Sequence, residues 1–185
     1  LLAAGGLLLA LAGVYLVWLG GTAPAGADGI GGPFTLTADT GQVVTERSFR
    51  GRYALLYFGY TNCADVCPTT LAALAVALDR LGARGAVVQP LFITVDPGRD
   101  TPSVLRRYTA AFSPRLLGLT GTAGQITQAQ RVWRVRAIVR PEGTGYSVDH
   151  TSVLLLVGPD GRFIAPIAAD ESGAQMAADL GRYLP

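Results

Sequence analysis

The chain predicts an α/β fold, and three observations lead there. Two dense apolar runs, residues 53–60 and 87–95, have the length of buried strands. Each is followed by a stretch with helical periodicity. Turn-forming Gly, Pro and Asp residues then set off a further hairpin and a terminal helix.

The elements follow in order. Residues 34–38 and 42–45 flank the turn signal Asp39-Thr40-Gly41 and predict a β-hairpin. The aromatic-rich run YALLYFGY, 53–60, suits a strand buried on both faces. A helix is expected over 68–81. Pro68 is tolerated at its first position, Leu71, Leu74, Leu78 and Leu81 recur at helical spacing, and Gly82 fits its end. Residues 87–95 predict a second buried strand, ending at Asp96-Pro97-Gly98. Thr101 as N-cap and Pro102 behind it start a second helix, which reaches Phe112. A short strand is expected over 116–120, and a third helix from Thr122 to Val135. Residues 136–140 and 146–148 can pair across the loop 141–145. Residues 153–157 and 162–165 form a hairpin around Gly158-Pro159-Asp160-Gly161, and 171–183 close the chain as a helix.

The first 32 residues differ in kind. Residues 1–19 carry no charge, with Tyr15 and Trp18 near their end. Such a run spans about 28 Å as a helix, close to the hydrocarbon thickness of a bilayer, and the aromatic pair suits its interface. Residues 1–20 are therefore expected to be a transmembrane anchor. An uncleaved or cleaved signal peptide is the competing reading, helped by the small residues over 22–27, although the run exceeds the usual apolar core of about 7–15 residues. The chain starts at Leu rather than Met, so the flanking charges that orient such a segment are expected to be missing with the true N-terminus. Residues 21–32, rich in Gly and Ala, read as a tether, and 33–185 as one folded domain.

Composition excludes some functions. Half of the 185 residues are hydrophobic and the net charge is +2, which gives no electrostatic case for nucleic acid. All fifteen basic residues are Arg, a pattern that fits a GC-rich coding bias. The lone methionine, Met176, is expected to pack in the terminal helix, which leaves no Met-rich metal site.

Chemistry concentrates in three residues. Cys63 and Cys67, the only cysteines, stand four apart in Cys63-Ala64-Asp65-Val66-Cys67-Pro68, directly after the first buried strand and at a helix start. In open α/β sheets, sites form at that edge. A helix N-terminus favours thiolate, the form that acts both as nucleophile and as metal ligand. His150 is the only histidine. Two thiolates and an imidazole are too few for a structural zinc site and suit Cu(I), which soft sulfur selects. The same dithiol can instead serve as a redox pair. A purely structural disulfide would close so short a loop that it stabilises little. Asp149 can orient the imidazole or point to water. Asp96 and Asp100 are expected in turn and capping roles, with support of the site or partner docking as alternatives. Arg131, Arg134 and Arg136 read as a solvated face, or as a contact for an acidic partner.

Residues 51–68, ending in Thr61-Asn62-Cys63-Ala64-Asp65-Val66-Cys67-Pro68, resemble the signature of the Sco/SenC family. Residues 92–102, FITVDPGRDTP, resemble its second block, and Asp149-His150-Thr151-Ser152 its third. The order and spacing agree over roughly 33–185. The resemblance implies a thioredoxin-like fold with an added N-terminal β-hairpin, and an N-terminal membrane anchor. It implies copper, as Cu(I) or Cu(II), held by Cys63, Cys67 and His150. It further implies assembly of the binuclear copper centre in subunit II of cytochrome c oxidase, by copper delivery, by reduction of that subunit's cysteines through a redox-active Cys63–Cys67 pair, or by both. In a thioredoxin fold a cis-proline usually precedes the strand after the site. His150-Thr151 takes that place here, which brings the imidazole toward the thiols. Ala64 stands where the family often has proline, a change that loosens the loop and leaves the ligands intact. The all-Arg composition and compact tether favour a bacterial inner membrane with the domain in the periplasm; a mitochondrial inner membrane facing the intermembrane space is the alternative. A thiol peroxidase or redox sensor is a third reading.

Overall fold

The computed structural model describes residues 29–185. The expected anchor over 1–20 and most of the tether lie outside the described residues. Among the described residues, no helix is long and apolar enough to cross a membrane.

The chain runs β1 (Thr35–Ala38), β2 (Val43–Thr45), a 3-10 turn (Glu46–Phe49), β3 (Tyr53–Gly59), α1 (Val66–Leu81), α2 (Ala83–Ala86), β4 (Val88–Thr94), α3 (Pro102–Ala110), β5 (Leu117–Thr120), α4 (Ala123–Val132), β6 (Ala137–Glu142), β7 (Gly145–His150), β8 (Val153–Val157), β9 (Phe163–Ala168) and α5 (Gly173–Leu180). Seven strands form one mixed sheet in the order β2-β1-β5-β4-β3-β8-β9, and β6 and β7 form a separate two-stranded sheet. The strands β3, β4 and β5 are parallel, as strand–helix–strand connections require. The hairpin β1–β2 joins antiparallel through β1 to β5, and β8 joins antiparallel to β3.

Side-chain alternation explains the two cores. Along β3, Leu55 and Tyr57 point into one layer, while Ala54, Leu56 and Phe58 point into the other. On the first face α1 and α5 cover the sheet with Leu71, Leu74, Leu78, Met176 and Leu180, and Leu105 of α3 joins them. On the second face lie Ile126, Ala129 and Trp133, from α4 and its end. Both faces are buried, so β3 reads as a continuous apolar run rather than an alternating one. Met176 is fully buried, as its packing role requires.

Several boundaries differ from expectation. The first helix begins at Val66, which places Cys67 and Pro68 within its first turn. The third helix ends at Val132 because Arg134 takes a positive φ of 54°, and the Val135 N–H turns back to the Gln130 carbonyl. The terminal helix is shorter than 171–183. Ser172 caps it by accepting from the Gln175 N–H, so it starts at Gly173. The pairing expected over 136–148 extends further, with Ala137 opposite His150.

Candidate metal centre

The parallel strand β3 ends at Gly59, and the chain turns over the sheet edge into α1. Cys63 sits in this turn and Cys67 in the first turn of α1. His150 arrives from the last position of β7. The two Sγ atoms and a ring nitrogen of His150 all lie within 4.8 Å of one another, and the Cys67 Sγ–His150 Nε2 distance is 3.4 Å. Both cysteines are free thiols; Cys67 is fully buried and Cys63 half-buried. The sequence-predicted trio is thus brought together.

Local bonds set each donor. The Cys67 N–H points at Cys63 Sγ, 3.4 Å away, so the sulfur takes up one of the orphan donors of the helix start. The loop before Cys63 is anchored by Asp100, which is fully buried and accepts from the Thr61 N–H at 3.1 Å, the Thr61 hydroxyl at 2.6 Å and the Thr94 hydroxyl at 2.6 Å. Asp100 therefore does more than cap a helix: it ties the ends of β3 and β4 together beneath the cysteine loop. At His150 the Nδ1 atom lies 3.1 Å from the Thr151 carbonyl oxygen. A carbonyl only accepts, so Nδ1 carries the proton and Nε2 presents its lone pair to the sulfurs. Burial also pulls the imidazole below its ordinary value, which keeps it neutral and fit to ligate.

One open alternative is decided and one expectation is corrected. Asp149 does not orient His150; alternation along β7 turns it outward, where it is exposed and pairs with Arg140 at 2.8 Å. The helix N-terminus does not activate Cys67 either. Burial pushes that thiol up to about 12, with the neighbouring Cys63 adding to the effect. A helix end contributes only about 0.3–1 kcal/mol, and desolvation of a fully buried sulfur outweighs it.

Residues that sequence reading did not single out complete the site. The Tyr57 hydroxyl lies 3.8 Å from Cys67 Sγ. The Tyr57 and Tyr60 rings meet His150 edge-on, with centroids 6.1 and 6.0 Å away. The Tyr60 hydroxyl accepts from the Val148 N–H at 3.3 Å and so holds β7 two residues before His150. The one available signal was the density of aromatics at the end of β3. Asp96 belongs to a different cluster, with Arg99 and Tyr146. Arg131, Arg134 and Arg136 are exposed, as a solvated face would be.

Comparison with known proteins places this geometry. The model of the SCO1/SenC family matches residues 22–185. The chain is 38% identical over 159 residues to the human mitochondrial protein SCO1 homolog, covering 84% of this chain and 53% of that protein, so it spans about half that relative's length. It is 41% identical over 165 residues to protein SenC of Rhodobacter capsulatus, covering 89% of this chain and 74% of SenC. Among solved structures it resembles Bradyrhizobium japonicum ScoI with copper bound, at 42% identity and a TM-score of 0.77, over 84% of this chain and 99% of ScoI. With a matching fold, a cysteine pair and a histidine in one cluster, and a family match from the tether to the last residue, this chain belongs to the SCO1/SenC family.

Proposed function

We propose that this chain is a membrane-anchored copper chaperone that binds copper through Cys63, Cys67 and His150 and serves assembly of the binuclear copper centre in subunit II of cytochrome c oxidase. The observation that carries the reading is the convergence of two sulfurs and one lone-pair nitrogen within 4.8 Å. Soft thiolates with one imidazole form a donor set for copper, and a relative of similar fold has copper bound. Copper is cargo here. Cys67 is buried while Cys63 and His150 are half-exposed, so a partner approaches the site from the Cys63 side. Residues 1–20 would anchor the domain 33–185 to a membrane through the tether 21–32. The domain would face the periplasm of a bacterium; relatives of both bacterial and mitochondrial origin make the intermembrane space the alternative.

The test is copper loading of the purified protein with Cu(I) and Cu(II), beside Cys63→Ser, Cys67→Ser and His150→Ala. One ion per chain is expected for the wild type, with strong loss in each cysteine variant and a weaker complex in His150→Ala. Undiminished binding in His150→Ala would sink the three-donor model.

A second reading rests on the free thiols themselves. Cys63 and Cys67 sit close enough in one loop to close a disulfide after modest movement. In doing so they would pass two electrons and two protons to a disulfide of the oxidase subunit, which becomes two thiols. Half-exposed Cys63 is the attacking sulfur in this scheme, and buried Cys67 resolves the mixed disulfide. Cys67→Ser should then trap the target subunit covalently, and absence of any trapped complex would count against the reductase role.

A further inference from the structure

The strand that carries His150 is not part of the main sheet. Its backbone pairs only with β6, and neither strand of that hairpin joins the seven-stranded ladder. Side chains must therefore hold it over the cysteines. Tyr146, Val148 and His150 alternate onto the inward face of β7, while Asp149 faces out. Each inward residue has one anchor. At His150 it is the sulfur cluster, and at Val148 it is the Tyr60 hydroxyl. At Tyr146 it is Arg99 together with its ion-pair partner Asp96.

We propose that Arg99 is a latch, a positioning residue that sets whether His150 reaches the dithiol. The inference rests on the three-donor reading of the site. Arg99 lies in the turn after β4, where it is ion-paired through Nε to Asp96. Its Nη1 donates to the Tyr146 carbonyl at 3.1 Å. Its guanidinium stacks over the Tyr146 ring, with Cζ 3.8 Å from the centroid, and lies 5.7 Å from the Tyr60 ring. The Tyr146 hydroxyl returns to Asp96, donating at 2.9 Å. Asp96 is itself buried and its N–H donates to the Thr94 hydroxyl at 2.9 Å, so the cluster is rooted at the end of a central strand.

This arrangement uses the two properties that separate Arg from Lys: a planar face that stacks and a fork that bonds in two directions at once. It grips a backbone carbonyl and an aromatic face of the same residue, which fixes both the height and the rotation of β7. Loss of that grip leaves the hairpin held by the Tyr60 bond, by the Tyr146 hydroxyl on Asp96 and by the packing of Ala137, Tyr146 and Val148, none of which fixes the Tyr146 carbonyl. Cys63 lies in the turn between β3 and α1, braced by Asp100, and Cys67 lies in α1, so they stay where they are. The latch thus divides the site into a fixed dithiol and a movable imidazole.

The experiment uses the whole chain and two readouts. In the metal-free protein, nitrogen NMR of His150 reports its tautomer and its place beside the sulfurs. In the Cu(II) complex, electron paramagnetic resonance reports nitrogen coupling from the imidazole. Arg99→Met is expected to remove the nitrogen coupling, shift the His150 resonances and weaken copper by about 10–100-fold, as loss of a ligand-orienting partner does, while one ion per chain remains on the two sulfurs. Arg99→Lys should recover only part of the effect. Should the buried Asp96 charge unfold Arg99→Met, the pair Asp96→Asn with Arg99→Met removes both charges and should give the same spectra. Arg140→Met, on the outward face, is the control and should change neither readout. Wild-type nitrogen coupling and unmoved His150 resonances in the latch variants would overturn the proposal. Failure of the wild type to bind copper would overturn the three-donor reading instead, and the metal-free resonances would still decide whether Arg99 positions His150.

Discussion

Cys67 Sγ lies 3.4 Å from His150 Nε2, although 83 positions separate the two residues in the chain. A helix start brings one and a detached hairpin brings the other. Their meeting depends on bonds from Tyr60, Arg99 and Thr151 rather than on a strand ladder.

Copper affinity should rise with pH. Burial holds the Cys67 thiol up to about 12, so at neutral pH the ion must displace its proton. Each added pH unit should then strengthen apparent Cu(I) binding by at least about tenfold for that one proton. Competition against a Cu(I) chelator between about pH 7 and 9 measures the slope, and a flat profile would contradict a buried, protonated ligand.

Metal-free stability should fall in alkali. Burial raises Tyr57 and Tyr108 above the ordinary phenol value and pushes Cys67 up to about 12. Each folded value exceeds the unfolded one. Above about pH 9 the native chain therefore holds more protons than the unfolded chain, and stability drops as pH rises toward the folded values. Urea midpoints at about pH 8 and pH 10.5 test this. Equal midpoints would mean that these groups lose their protons as readily folded as unfolded.

Asp100→Ala should destabilise the domain by about 2–4 kcal/mol, since it strands the buried Thr94 hydroxyl and the two half-buried donors of Thr61. Asp100→Asn keeps one acceptor oxygen and should lose less. Because Thr61 lies two residues before Cys63, copper binding should also weaken. Chemical denaturation beside copper titration checks both, and an Asp100→Ala protein as stable as wild type would remove the bracing role.

Gly59→Ala should perturb the site directly. A Cβ at Gly59 would stand 2.9 Å from Cys67 Sγ and 2.8 Å from the Phe92 ring, closer than side-chain carbons approach. Overpacking of this kind costs about 1–3 kcal/mol, and the sulfur must shift to relieve it. A lower denaturation midpoint with an altered copper spectrum is expected. An unchanged spectrum would mean that Phe92 alone absorbs the strain.

Much of the fold was legible in the chain because β3 and β4 are buried on both faces and so carry unbroken apolar runs. Thr101 and Pro102 marked the start of α3 correctly, through capping chemistry that acts over a few residues. The helix over 122–135 was read too long, because the positive φ at Arg134 has no Gly or Asn to announce it. Within the site, the three donors were visible as the only Cys and His residues present. Tyr60, Arg99 and Tyr146 were not, because each acts through a partner between 47 and 88 positions away. Asp149 stood open between orienting the imidazole and pointing to water; strand alternation decides for the outward position, and that became visible only once β7 was seen to extend to His150.

By itself, the sequence determined the α/β class, the site at the end of β3, and a donor set soft enough for copper. Those features follow from periodicity, short-range capping and side-chain chemistry, which all act locally. Only the tertiary structure decided that the imidazole meets the thiols through Nε2, that Cys67 holds its proton, and that the His150 hairpin hangs on Arg99. Burial and long-range bonding made those decisions, because desolvation and the direction of a lone pair depend on what the folded chain brings alongside.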